Sequence, residues 1–323
     1  MVKLLRAPTR VVINPVSDSR RWDGFEPRND DIIIATYRKC GTTWTQRIVD
    51  LLVHQSPDVR PFGDISPWLD ATFFNTIEED LATLRAQAHR RYIKSHLPLD
   101  ALPLWDTVKY IHVGRDGRDA TLSWQNHQQG FSPEFVERIR ARAIELAAQS
   151  GRPPSPPPPR PEDPREYLRQ WMDELEAAPD DGETGDPTFF GFEATFWRER
   201  RRPNLLLVHY NDFITDLESE MRRISDFLEI ETPGSLMPKL VEAARFETMK
   251  KGGDALFPRL TIAFDRGADR FLNKGRSGRW REYLTREDAR RYEAIARKRA
   301  SAGLVAWIER GRLGAGDPRD AVS

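Results

Sequence analysis

Asp31-Ile-Ile-Ile-Ala-Thr-Tyr-Arg-Lys-Cys-Gly-Thr-Thr-Trp-Thr-Gln-Arg-Ile-Val-Asp50 passes from an unbroken apolar run, through a charged turn, to apolar residues at helical spacing. Ile32 to Ala35 has the character of a strand covered on both faces. Trp44, Ile48, Val49 and Leu52 recur every three to four residues, as one helix face requires. The turn between them, Thr36 to Thr43, carries Gly41 for a sharp bend, the hydroxyls of Thr42 and Thr43, and the charge of Lys39. Free N–H groups in the first turn of the following helix converge on one point, so the stretch predicts an anion cradle. It is not a Walker loop, because the lysine precedes the glycine and the magnesium-binding acidic partner is missing.

The same grammar returns once. Lys109 to Val113 reads as a strand, Gly117 lies in the turn, and a helix runs through Leu122 and Trp124, which predicts a second anion site. Asp119 is expected to cap that helix and pair locally with Arg118. Arg91 to Pro98 reads as a short strand on which Lys94 and His96, two residues apart, share one face and point into one cleft. Asn204 to Tyr210 is a further buried strand, followed by an amphipathic helix from Asp216. A strand is also expected at Arg10 to Ile13.

A chain of 323 residues can bury a substantial core, and its fifty basic residues balance fifty acidic ones. No overall field draws it to nucleic acid or to an anionic membrane. One cysteine, Cys40, excludes intrachain disulfides and fits a reducing compartment. No run of eighteen apolar residues occurs and the first residues lack the core of a signal peptide, so a cytoplasmic protein without integral membrane association is expected. Between 132 and 186 a charged helix through Phe135, Ile139 and Ile144 precedes a proline run, which reads as an extended spacer within an insert. Aromatic residues at Trp68 to Phe74 and Phe189 to Trp197 suggest an apolar pocket.

Thr36-Tyr-Arg-Lys-Cys-Gly-Thr-Thr-Trp44 resembles the T-Y-P-K-S-G-T-T-W loop of the cytosolic-type sulfotransferases, departing at Arg38 and Cys40. The resemblance extends in order to Thr285. Tyr92-Ile-Lys-Ser-His-Leu-Pro98 is similar to the K-T-H-L-P element, and Arg115 to Ser123 keeps the spacing of R-N-P-K-D-x-x-x-S. Tyr210-Asn-Asp212 looks like Y-E-D, Phe246 to Lys251 like F-K-E-M-K-K, and Arg270 to Thr285 like R-K-G-x-x-G-D-W-K-x-x-F-T. Segments around Ser66 to Asp70, His89 to Lys94 and Leu206 to Tyr210 resemble bacterial members described as glycolipid sulfotransferases.

The resemblance implies an α/β fold with a central, mostly parallel sheet flanked by helices and a P-loop-like turn. A single domain would span 1–313, with an insert at 132–186 on the acceptor side and a frayed tail at 314–323. It implies transfer of a sulfuryl group from 3'-phosphoadenosine 5'-phosphosulfate (PAPS) to a hydroxyl of a small-molecule or lipid-linked acceptor, without a metal. His96 would be the base, with Lys39 and Lys94 stabilising charge. Lys39, Cys40, Gly41, Thr42, Thr43 and Trp44 would hold the donor's 5' end, and Arg115 and Ser123 its 3'-phosphate. Tyr210, Phe246, Lys274 and Gly275 would complete the nucleotide site, together with Asn273 where the family has arginine. A magnesium-dependent nucleotide kinase and a catalytically silent nucleotide-binding protein are the other readings. The family's dimer element is degraded at Arg281 to Arg290, which leaves the oligomeric state open.

Overall fold

The structure is a computed structural model that describes residues 2–149, 160–179, 187–258, 260–272 and 274–322. Among the described residues the strands are β1 (Leu4–Arg6), β2 (Ile32–Ala35), β3 (Tyr92–Ser95), β4 (Leu104–Trp105), β5 (Lys109–Gly114) and β6 (Leu205–His209). Four of them form a parallel sheet in the order β3-β2-β5-β6, while β1 and β4 make a separate antiparallel pair. Ile34 lies opposite Lys94 on one side and Ile111 on the other, and His112 opposite Leu207.

Helices cover both faces, which is why Ile32 to Ala35 is completely buried without alternation. The helices that matter below are α1 (Thr42–His54), α2 (Gly117–Gln128), α3 (Pro133–Gln149), α4 (Pro164–Ala177), α5 (Phe189–Arg198), α6 (Leu217–Phe227), α7 (Met237–Ala244), α8 (Arg286–Arg299) and α9 (Ala302–Ala315). Ile33, Ala35, Ile93 and Leu207 pack with α4, α5, α8 and α9. Ile32, Ile34, Ile111 and Val208 pack with α1, α6 and α7. Successive side chains of a strand point to opposite faces, so each strand serves both cores.

Three expectations are corrected. Arg10 to Ile13 is not a strand: the Thr9 and Arg10 amides both donate to the Asp100 carbonyl and the Val12 amide to Ser19 Oγ, leaving only a bridge from Ile13 to Asp18. The region 132–186 does not lie wholly at a rim. Its α4 buries Tyr167, Leu168, Trp171, Met172 and Leu175 in the main core, against α2 and α8. The proline run at 151–159 lies outside the described residues. The expected frayed tail is tied down: α9 continues to Ala315, and the buried Arg200 guanidinium donates to the carbonyls of Pro318 and Ala321, each at 2.7 Å. Among the described residues no helix is long and apolar enough to cross a membrane.

Candidate active site

All four parallel strands end at the same edge, so the segments following β2, β3, β5 and β6 meet there, where open parallel sheets bind ligands. The turn after β2 is held by a 2.5 Å hydrogen bond between the hydroxyls of Thr36 and Thr42. Lys39 (φ 64°) and Gly41 (φ 117°) both adopt left-handed backbone, and no side chain caps α1. Its first N–H groups therefore face the cavity as an anion nest. Gly41 is required twice over, because a Cβ there would also lie 3.0 Å from the Tyr210 ring.

Arg115 locks this turn to its neighbours. Its guanidinium lies 4.1 Å from the centre of the Tyr210 ring and donates to the carbonyls of Lys39 (2.8 Å) and Arg276 (2.9 Å). Trp44 sits edge-on to Tyr210 and Phe246, with its indole N–H on the Ala244 carbonyl. A Cβ on Gly275 would strike the Phe246 ring at 2.7 Å. Ser123 and Lys274 line the same space, and Asn273 lies outside the described residues. The cap of α2 is Asp116, whose carboxylate accepts from the Arg118 amide and pairs with its guanidinium. Asp119 is instead turned to the amides of Gly278 and Trp280, so it orders the segment carrying Gly275.

Lys94 and His96 occupy the opposite wall. The Lys94 ammonium sits 4.1 Å from the centre of the Trp68 ring, and burial pulls its pKa down to about 8. The His96 Nδ1–H donates to the Thr36 carbonyl at 2.8 Å, which leaves the Nε2 lone pair free to accept a proton. Burial first, and the cations Lys94, Arg38 and Lys39 after it, push the His96 pKa well below its usual value, so the ring is neutral. Its backbone amide is held by the buried Asp70, which also takes the Trp68 indole N–H at 2.7 Å.

Lys39 reaches between the two walls. Its ammonium donates to His127 Nδ1 at 3.2 Å and lies 4.8 Å from the Phe271 ring centre. Burial, then Arg115 and Lys94, lowers its pKa to about 7. These groups share one cavity of about 510 Å³, within the range of small-molecule sites. Beyond His96 it is walled by Trp68, Phe73, Phe131, Phe135, Phe264 and Phe271. Cys40 is fully buried under the turn, and burial pushes its thiol well above the ordinary range.

Residues 29–303 match the family model described as a sulfotransferase domain. The chain belongs to the sulfotransferase family. This sulfotransferase is 36% identical over 315 residues to a glycolipid sulfotransferase of Mycobacterium tuberculosis, covering 93% of this chain and 94% of the relative. It is 26% identical over 295 residues to sulfotransferase 1B1 of Canis lupus familiaris, with 88% of each covered. Its fold is similar to the crystal structure of mouse sulfotransferase SULT7A1 complexed with PAP, with a TM-score of 0.59 at 19% identity over 88% of this chain and 89% of that one. The family match sets the kinase reading aside.

The sulfotransferase brings Lys39, Gly41, Thr42, Thr43, Trp44, Lys94, His96, Arg115, Ser123, Tyr210, Phe246, Lys274 and Gly275 to the same cavity. Cys40 is beneath it rather than on its surface. Of the two aromatic stretches, Trp68, Phe73 and Phe74 line the cavity, but only Phe192 of the second does. Phe189, Phe190, Phe196 and Trp197 are core. His127 was not foreseen, although it stands four residues after Ser123 and so on the same helix face.

Proposed function

We propose that this sulfotransferase moves the sulfuryl group of PAPS to a hydroxyl on a largely apolar acceptor, a phenol, a steroid-like alcohol or a lipid-linked sugar. The observation that carries the reading is the placement of a neutral imidazole and two amines on one cavity whose other end is the phosphate-type turn. Bound there, the donor supplies an activated sulfur whose bond to the 5'-phosphate oxygen breaks as the bond to the acceptor oxygen forms. The N–H groups of Thr42 and Thr43 hold the 5' end, Arg115 and Ser123 the 3'-phosphate, and Trp44, Tyr210 and Phe246 the base. His96 Nε2 takes the proton of the attacking hydroxyl. Lys39 neutralises charge gathering on the departing phosphate oxygen, and Lys94 steadies the transferring group.

No metal enters this scheme, because lysine and arginine carry the charge. The name of the mycobacterial relative supports a lipid-linked sugar among the acceptors, and the phenylalanine wall supports an apolar part. The same reading places the enzyme in the cytoplasm, where its one thiol stays reduced.

The test is turnover of labelled donor with a host lipid extract. His96→Ala should lose roughly 10²- to 10⁴-fold in kcat at saturating PAPS, while its thermal shift with PAP stays that of the wild type. Turnover at the wild-type rate would remove His96 from the mechanism.

A further inference from the structure

Arg38 stands where the related loop has proline, and its side chain differs from those of Arg115 and Lys39 in having no hydrogen-bond partner among the described residues. Arg115 donates to two carbonyls through its two terminal nitrogens, and Lys39 donates to His127. The Arg38 guanidinium lies over two rings, 5.1 Å from the centre of Trp124 and 5.4 Å from that of Tyr37. Among the described residues it has neither a carboxylate nor a carbonyl partner. An arginine carries five N–H donors in its plane, and none of those of Arg38 is taken by a hydrogen bond among the described residues.

Its neighbours locate it. Trp124 packs on His127 and Phe131, and Tyr37 on Phe189 and Phe192, so these walls belong to the half of the cavity away from Trp44, Tyr210 and Phe246. Arg38 is near enough to His96 to oppose its protonation. Lys94, on the opposite wall, is likewise seated on an indole. Asp64 and Asp80 are the acidic residues among those lining the cavity, and Asp80 is already paired with Arg21 at 2.7 Å. The half-buried guanidinium is thus a donor set with no counter-charge among the described residues, next to the reacting base.

We infer that Arg38 forms an oxyanion subsite beside the sulfation point, and that the preferred acceptors carry a carboxylate, phosphate or sulfate ester close to the hydroxyl that reacts. A carboxylate matches the guanidinium edge with two parallel hydrogen bonds. The inference rests on the assignment of this half of the cavity to the acceptor.

The experiment compares octyl β-glucoside with octyl β-glucuronide, which differ in the C6 group alone, by calorimetry on the PAP-saturated protein. A third arm with octyl glucoside 6-phosphate separates carboxylate from phosphoryl recognition. The glucuronide should bind ~10-fold or more tightly than the glucoside, as a charge-assisted pair implies. In Arg38→Gln the gap should close to about twofold, with PAP affinity as in the wild type. Equal affinities, no binding by either glycoside, or a preference that survives in Arg38→Gln would overturn the subsite. A loss of PAP affinity in Arg38→Gln would overturn it too, by moving Arg38 to the donor. Failure of the wild type to bind PAP would instead remove the donor assignment, and the two glycosides remain comparable on the nucleotide-free protein.

Discussion

Lys39 is the residue that reaches between the two walls of the cavity, and its depressed pKa has a measurable sign. In the nucleotide-free enzyme it is charged below about 7 and loses its proton above. A nucleotide anion favours the charged form, so binding above that pH must take up a proton. PAP affinity should therefore fall by up to about one log unit per pH unit between roughly pH 7 and 9. The nucleotide's own phosphate is already ionised there. Lys39→Met should flatten the slope by that amount, as titration calorimetry at several pH values would show. Lys39, Gly41, His96, Arg115 and Tyr210 were legible in the sequence because each lies on or directly after a strand, where local spacing fixes its direction. His127 and the contact of Arg38 with Trp124 were not, because both depend on how α2 packs over the turn, a contact between distant parts of the chain.

At the scale of the element, the buried ends of strands explain what the pattern of apolar residues could and could not tell. The start of β2 is joined to the start of β3 by Arg91, whose guanidinium holds Asp31 at 2.8 and 2.5 Å with both side chains almost wholly buried. Arg91→Met would strand a carboxylate in the core and should cost about 3–5 kcal/mol in urea unfolding. Adding Asp31→Leu should return part of that loss, since a missing pair is cheaper than half of one. Strands β2 and β6 were readable from their apolar runs and β3 and β5 from shorter ones broken by Lys94 and His112, but Arg10 to Ile13 looks equally strand-like and is not. Its amides are claimed by Asp100 and Ser19, which no window of sequence around it contains in full. Helix α4 was obscured by the prolines before it, although Leu168, Trp171, Met172 and Leu175 keep a helical period.

Across the whole molecule, the last residues close the shell around α5. Arg200 is 6% exposed and has three carbonyl acceptors, two of them beyond α9. Removing residues 316–323 should destabilise the protein by ~2 kcal/mol or more, because buried donors lose their partners. A scanning melt would register a drop of several degrees, whereas a dangling tail would leave the midpoint in place. The sealed position of Cys40 carries a practical benefit. The native protein should give no colour with a disulfide reagent until it is denatured, because its sulfur is neither accessible nor ionised. A cysteine introduced at exposed Val136, on the helix that carries Phe135 and Ile139, would then be the one site that takes a maleimide dye. This single fluorophore beside the aromatic wall would report acceptor entry in real time without any background labelling to subtract.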